Sequence, residues 1–164
     1  MTILPDILAP GLDIIFCGTA VGNVSAQRGA YYAGPGNMFW PTLHVVGLTP
    51  RRLQPEEFRE MPTCGLGFTD LAKAVSGNDH GLRPGDFDRQ RLRDTILRYQ
   101  PKILAFTSKR AGREFLGRRV KYGLQPETVG DTALFVLPSP SGAARRWWDV
   151  TQWHELARLR EQLK

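Results

Sequence analysis

Short apolar runs alternate with stretches of helical spacing along this chain. Asp13-Ile14-Ile15-Phe16-Cys17 is a β-rich run that stops at Gly18, so Gly18-Thr19-Ala20-Val21-Gly22 reads as a loop leaving the C-terminal end of a strand. Loops in that position build ligand sites in α/β sheets. Residues 29 to 36 carry four Gly/Pro positions around Tyr31 and Tyr32. Phe39, Trp40, Leu43 and Val46 then recur at helical spacing behind Asn37, with Pro41 tolerable only in a first turn. Pro50 to Pro62 is polar and Pro-punctuated, and Gly65-Leu66-Gly67-Phe68-Thr69-Asp70 has the glycines of a tight backbone path. Residues 76 to 86 read as loop.

The second half is more regular. Leu92, Ile96 and Tyr99 give Arg89–Tyr99 one apolar face and a basic opposite face, and Gln100-Pro101 stops that helix before the strand Ile103 to Thr107. A helix from Lys109 to Leu116 follows, then the strand Ala133 to Leu137, a small-residue loop from Pro138 to Arg146, and an amphipathic helix from Trp147 to Leu163. Such alternation predicts an α/β fold: a three-layer α/β/α sandwich on a mainly parallel central sheet, whose crossovers need helices on both faces.

Length and charge narrow this picture. At 164 residues, 41% of them apolar, the chain can bury one core and is short for two, so residues 1–164 are expected to form a single domain. Lys and Arg outnumber Asp and Glu by 22 to 16, a net charge of +6, which suits a polyanionic partner and equally suits simple solubility. Cys17 and Cys64 stand far apart with no Cys-x-x-Cys or Cys/His spacing, so neither a disulfide framework nor a metal site is expected, and no cofactor is called for. Met1 to Asp13 does not have the order of a secretory leader and no stretch is long and apolar enough to span a bilayer; the expected location is the cytoplasm, with no membrane partner.

Three segments resemble the mismatch-specific uracil and thymine-DNA glycosylases of the uracil-DNA glycosylase superfamily. They are Gly18-Thr19-Ala20-Val21-Gly22 followed by Tyr31-Tyr32-Ala33-Gly34-Pro35-Gly36-Asn37-Met38-Phe39-Trp40; Gly65-Leu66-Gly67-Phe68-Thr69-Asp70-Leu71; and Leu137-Pro138-Ser139-Pro140-Ser141-Gly142-Ala143-Ala144-Arg145. Tyr99-Gln100-Pro101-Lys102 and Gly123-Leu124-Gln125-Pro126 are similar to the family's structural connectors. The resemblance implies a uracil-DNA glycosylase-like fold and an enzyme that flips uracil, or thymine or another modified pyrimidine opposite guanine, out of DNA and hydrolyses the N-glycosidic bond. The implied partner is double-stranded DNA carrying uracil or a G:U or G:T mismatch, bound by a monomer associated with the nucleoid.

The family pattern also shows what is missing. Its first motif has an Asn that positions the attacking water, and here that position is Ala20, whose methyl group cannot hold a water. Within the matched pocket segments Asp70 is the only carboxylate, so Asp70 is the candidate to activate or position water. Alternatively, an Asp after Thr and before an apolar run caps a helix over Leu71 to Val75. Asn23, Asn37 and His44 are rivals for the water, whereas His80 and His154 lie outside the matched segments.

Backbone N–H groups around Gly18, Thr19 and Ala20 are candidates to hold the departing base, Thr69 joins them on the substrate side, and Tyr32 is the candidate to stack on the base. Asn37 either offers its amide to the base's Watson–Crick edge or caps the following helix. Ser139, Pro140, Ser141, Gly142, Ala143, Ala144, Arg145 and Arg146 form the candidate DNA-contacting loop, the serines toward phosphates and the arginines toward the opposite strand, or else an ordinary surface turn. With no lysine inside the pocket motifs to form a Schiff base, a monofunctional enzyme is expected. Ala20 keeps a second reading open, a lesion- or abasic-site-binding protein without catalysis. The two differ in whether the Asp70 carboxylate faces the pocket.

Overall fold

The structure, a computed structural model, describes residues 2–77 and 81–164, without the side chain of Trp147; His80 lies outside the described residues. In chain order the elements are β1 (Ile14–Val21), α1 (Asn23–Arg28), α2 (Phe39–Val45), β2 (Leu66–Ser76), α3 (Arg89–Tyr99), β3 (Ile103–Phe106), α4 (Lys109–Leu116), β4 (Gly123–Val129), β5 (Thr132–Val136) and α5 (Thr151–Gln162). Among the described residues, the 3₁₀ segments Pro55–Cys64, Pro84–Asp86 and Gly142–Trp147 connect them. The strands form one sheet in the order β2-β1-β3-β5-β4, in which β2, β1, β3 and β5 are parallel and β4 runs antiparallel to β5. This is the expected mixed α/β architecture with a mainly parallel sheet.

Alternation along β1 sorts two cores onto the two faces. Ile14 and Phe16 point toward Phe39, Leu43, Trp153 and Leu156, from α2 and α5. Ile15 and Cys17 point toward Leu92, Ile96, Ala111 and Phe115, from α3 and α4. Because both faces are covered, the central strands read as continuous apolar runs instead of alternating ones.

Several boundaries differ from the sequence reading. Gly18 to Val21, read as loop, continues β1, because Gly18 pairs with Asp70 and Ala20 with Ala72 across the parallel ladder. Leu71 to Val75 belongs to β2, so no helix exists there for Asp70 to cap. The connector beginning at Gly123 is part of edge strand β4, where an irregularity between Leu124 and Thr128 accommodates Pro126. The terminal helix starts at Thr151, whose N–H bonds to Asp149 Oδ1 at 2.9 Å, not at Trp147, which ends a 3₁₀ segment. Pro50 to Pro62 is not wholly loop, since a 3₁₀ helix with a Gln54/Glu57 capping box begins at Pro55.

The outer edge of β2 is covered by residues 3–7. Ile3 N–H donates to Lys73 O at 2.9 Å, and Ile7 exchanges both backbone bonds with Phe68 at 2.9 Å. Covering satisfies a strand edge that is otherwise open to another chain, and it brings Asp6 alongside β2.

Candidate active site

The C-terminal ends of β1, β2 and β3 open into a cleft of about 600 Å³. Its lining brings together the first-motif residues Gly18, Thr19 and Ala20, the aromatic-loop residues Tyr32 and Asn37, Asp70 from β2, and Ser139 to Ala144 from the loop after β5. Segments more than a hundred residues apart meet because parallel strands place all their C-terminal ends at one edge of the sheet.

Asp70 is 3% exposed and lies beside Gly18 in the β1–β2 register. A methyl group placed on Gly18 meets Asp70 Oδ1 at 2.8 Å and the Tyr32 and Thr107 hydroxyl oxygens at 3.5 Å, so three polar groups converge over this one glycine. Burial pushes the Asp70 carboxyl up to about 7, opposed by Lys73 and Arg91 and reinforced by Asp6. The side chain thus changes charge near neutrality while facing the cleft.

Tyr32 adopts a left-handed backbone, φ 52°, which a residue with a Cβ takes only at a cost on the order of 1 kcal/mol. Two contacts hold it there. Its ring stacks on Phe39 at 4.0 Å and 13°, and its hydroxyl shares a 2.9 Å hydrogen bond with Thr107 Oγ1. Tyr31 is instead a core residue, stacked on Phe68 at 4.6 Å, with its hydroxyl donating to Pro5 O at 2.8 Å.

Asn37 stands one residue before Met38, the N-cap of α2. Its Oδ1 accepts Phe39 N–H at 2.9 Å at the start of α2, while the residue also lines the cleft. With the oxygen occupied, its Nδ2 is left as the donor.

Thr69 is not on the substrate side. Strand alternation turns it to the opposite face of the sheet from Asp70, where it is fully buried and accepts from Arg91 Nη2 at 3.3 Å. Arg145 and Arg146 are exposed and outside the cleft lining. The Arg145 guanidinium lies where a Gly36 side chain would be. Loop 138–146 is locked to the aromatic loop, since Met38 N–H donates to Pro140 O at 2.8 Å and a Cβ on Gly142 would lie 2.7 Å from Pro35 O. Ser139 and Ser141 hold the loop's own turns, accepting from Ser141 N–H and Ala143 N–H at 3.2 Å each.

Asn23 lines the cleft, with its Oδ1 accepting from Ser76 Oγ at 3.2 Å, and His44 is exposed on α2. Sequence reasoning missed Thr107 and Ser108, which line the cleft at the end of β3; the rule that sites gather at strand C-termini could have found them. It also missed Lys73, whose Nζ lies 3.5 Å from Asp70 Oδ2, and Asp6, 2.9 Å from that Nζ.

The family model described as the uracil DNA glycosylase superfamily matches residues 5–162. The chain is similar in fold to the solution NMR structure of a Methanosarcina acetivorans protein solved as a candidate uracil DNA glycosylase, with a TM-score of 0.63, 22% identity and 96% of each chain covered.

Proposed function

The chain belongs to the uracil DNA glycosylase superfamily, and from that premise we propose that it is a monofunctional, mismatch-specific glycosylase that removes uracil from DNA with Asp70 in place of the missing Asn. The observation that carries this reading is the Asp70 carboxylate facing the cleft beside Gly18. A buried anion there has no use in a protein that only binds anionic DNA, whereas an oxocarbenium-like sugar gains from it.

The reaction runs in a cleft reached only by an extruded base, and extrusion is least costly for a mispaired one. The Tyr32–Phe39 pair forms a wall on which the base stacks. The Asn37 Nδ2 donor suits O4 of uracil or thymine and meets an amino group on cytosine, which selects against the normal base. As the C1′–N1 bond breaks, its electron pair leaves with the base, beside the end of β1 where Gly18, Thr19 and Ala20 line the cleft. Water adds to C1′ and its proton passes to the Asp70 carboxylate. The immediate products are an abasic sugar, the uracil anion and protonated Asp70; return of that proton to the base or to solvent regenerates the carboxylate.

Loop 139–146 supports the duplex side of this reading. Its lock onto residues 35–38 holds it beside the cleft, with Ala143, Arg145 and Arg146 exposed on the loop.

Single-turnover cleavage of a duplex oligonucleotide with one uracil opposite guanine, read as alkali-sensitive sites, tests the proposal. Wild type should cleave and Asp70→Asn should bind without cleaving. Strand breaks without alkali would overturn the monofunctional assignment, and equal rates for uracil opposite adenine and opposite guanine would overturn the mismatch preference. Binding with no cleavage by the wild type would leave a lesion-binding protein.

A further inference from the structure

Behind Asp70, on the side away from the cleft, sits a group of charges that the reaction above does not use. Lys73 Nζ lies 2.9 Å from Asp6 Oδ1, donates to Tyr31 Oη at 3.0 Å, and stands 3.5 Å from Asp70 Oδ2. Its side chain is 12% exposed and does not line the cleft. Asp6 is anchored in turn by Arg91 Nη1 at 3.1 Å, and Arg91 Nη2 donates to the Asp70 carbonyl at 2.5 Å.

A regular strand sets residues three apart on opposite faces, so Asp70 and Lys73 should not meet. They meet because β2 breaks register. Ala72 pairs with Ala20 but the next partner, of Val21, is Ser76, so residues 73 to 75 are extra and the alternation resets at Lys73.

Resting on the assignment of Asp70 as the water-activating group, we propose that Lys73 is a positioning residue that favours the Asp70 anion and aims it at the cleft, and that Asp6 limits this effect. The two carboxylate oxygens have separate surroundings: Oδ2 faces the ammonium and Oδ1 faces Gly18. An ammonium behind a carboxylate restricts its rotation and favours its anion. Asp6 acts in the opposite sense twice over, as a second negative charge and as the closer partner of the same ammonium.

The other titratable groups near enough to act on Asp70 by charge are Tyr31 and Tyr32 from the aromatic loop and, from the opposite face of the sheet, Arg91 of α3 and Cys17 of β1. Burial pushes both tyrosines and the cysteine well upward, so they stay neutral near pH 7. The charged neighbours are therefore Lys73, Asp6 and Arg91.

Opposite shifts from two substitutions distinguish this role from simple structural support. The Asp70 midpoint is read in the free full-length protein by carboxyl carbon NMR and, separately, from the pH dependence of single-turnover uracil excision. Lys73→Met should raise both midpoints by about one pH unit or more, Asp6→Asn should lower both, and Lys73→Arg should restore the wild-type position. Unmoved midpoints, or movement in the same direction for both variants, overturn the proposal. If Lys73→Met does not fold, Asp6→Asn decides alone, a downward shift supporting the role and any other result refuting it. A borohydride-trapped covalent adduct that needs Lys73 would show a nucleophile instead of a positioning group. Full cleavage by Asp70→Asn would remove Asp70 as the water-activating group, whereas a normal Asp70 requirement with unmoved midpoints would remove only the role of Lys73.

Discussion

At the scale of single residues, Asp70 links stability to chemistry. Its folded value of about 7 exceeds the ordinary 3.8. A raised value means that the favourable contribution of the protonated form is complete below the unfolded value and is lost as pH rises through the folded one. Asp70→Asn should therefore be more stable than wild type above pH 7 by up to on the order of 4 kcal/mol, a gain that shrinks toward pH 4 in paired denaturant melts. The excision rate should move the opposite way, rising with pH through about 7 as the carboxylate ionises. Gly18 is the companion case. The methyl group of Gly18→Ala would lie 2.8 Å from Asp70 Oδ1, so the carboxylate must shift, and single-turnover excision should fall by about 100-fold while circular dichroism shows a folded protein.

At the scale of elements, the loop after β5 should bind DNA without taking part in bond cleavage. Its arginines are exposed, while its backbone is fastened to the aromatic loop. Arg145→Ala should weaken duplex binding and lower the slope of log affinity against log salt by about 0.9, with excision at saturating enzyme little changed. Titrations by fluorescence anisotropy at several salt concentrations measure this; an unchanged slope would remove Arg145 from the phosphate contacts. Strand β2 shows why element boundaries matter to the site. Read as a glycine-rich path, it leaves Asp70 open to capping a helix; as a strand, it sends Asp70 to the cleft and Thr69 to Arg91.

At the scale of the whole molecule, the cleft rests on the core beneath it. Trp153 of α5 is fully buried, stacks on Phe16 at 6.1 Å and meets the edge of Phe39, on whose ring Tyr32 stacks. Trp153→Ala should cost about 3–5 kcal/mol in denaturant melts, and in the protein that remains folded it should loosen the wall on which the base stacks. Retained stability would mean that α5 packs without this anchor.

Much of this was legible in the sequence, because burial and periodicity are local. Helices α3 and α4 were read at their observed bounds, since apolar residues at helical spacing and the Gln100-Pro101 stop are properties of neighbouring positions. The parallel sheet followed from the alternation of such elements, and Asp70 from being the one carboxylate within the matched pocket segments. Strand β4 and the full lengths of β1 and β2 were not legible, because Gly and Pro mark breaks in sequence while ladder partners far along the chain decide whether a strand continues. The group formed by Asp6, Lys73 and Asp70 belongs wholly to tertiary structure. It needs residues 3–7 laid along an edge of β2 and a register break that turns Lys73 to the face of Asp70. The sequence by itself determined which groups were available to the chemistry; only the packing of distant segments decided which of them share a low-dielectric site, and there a separation of a few ångströms sets whether a carboxylate is charged.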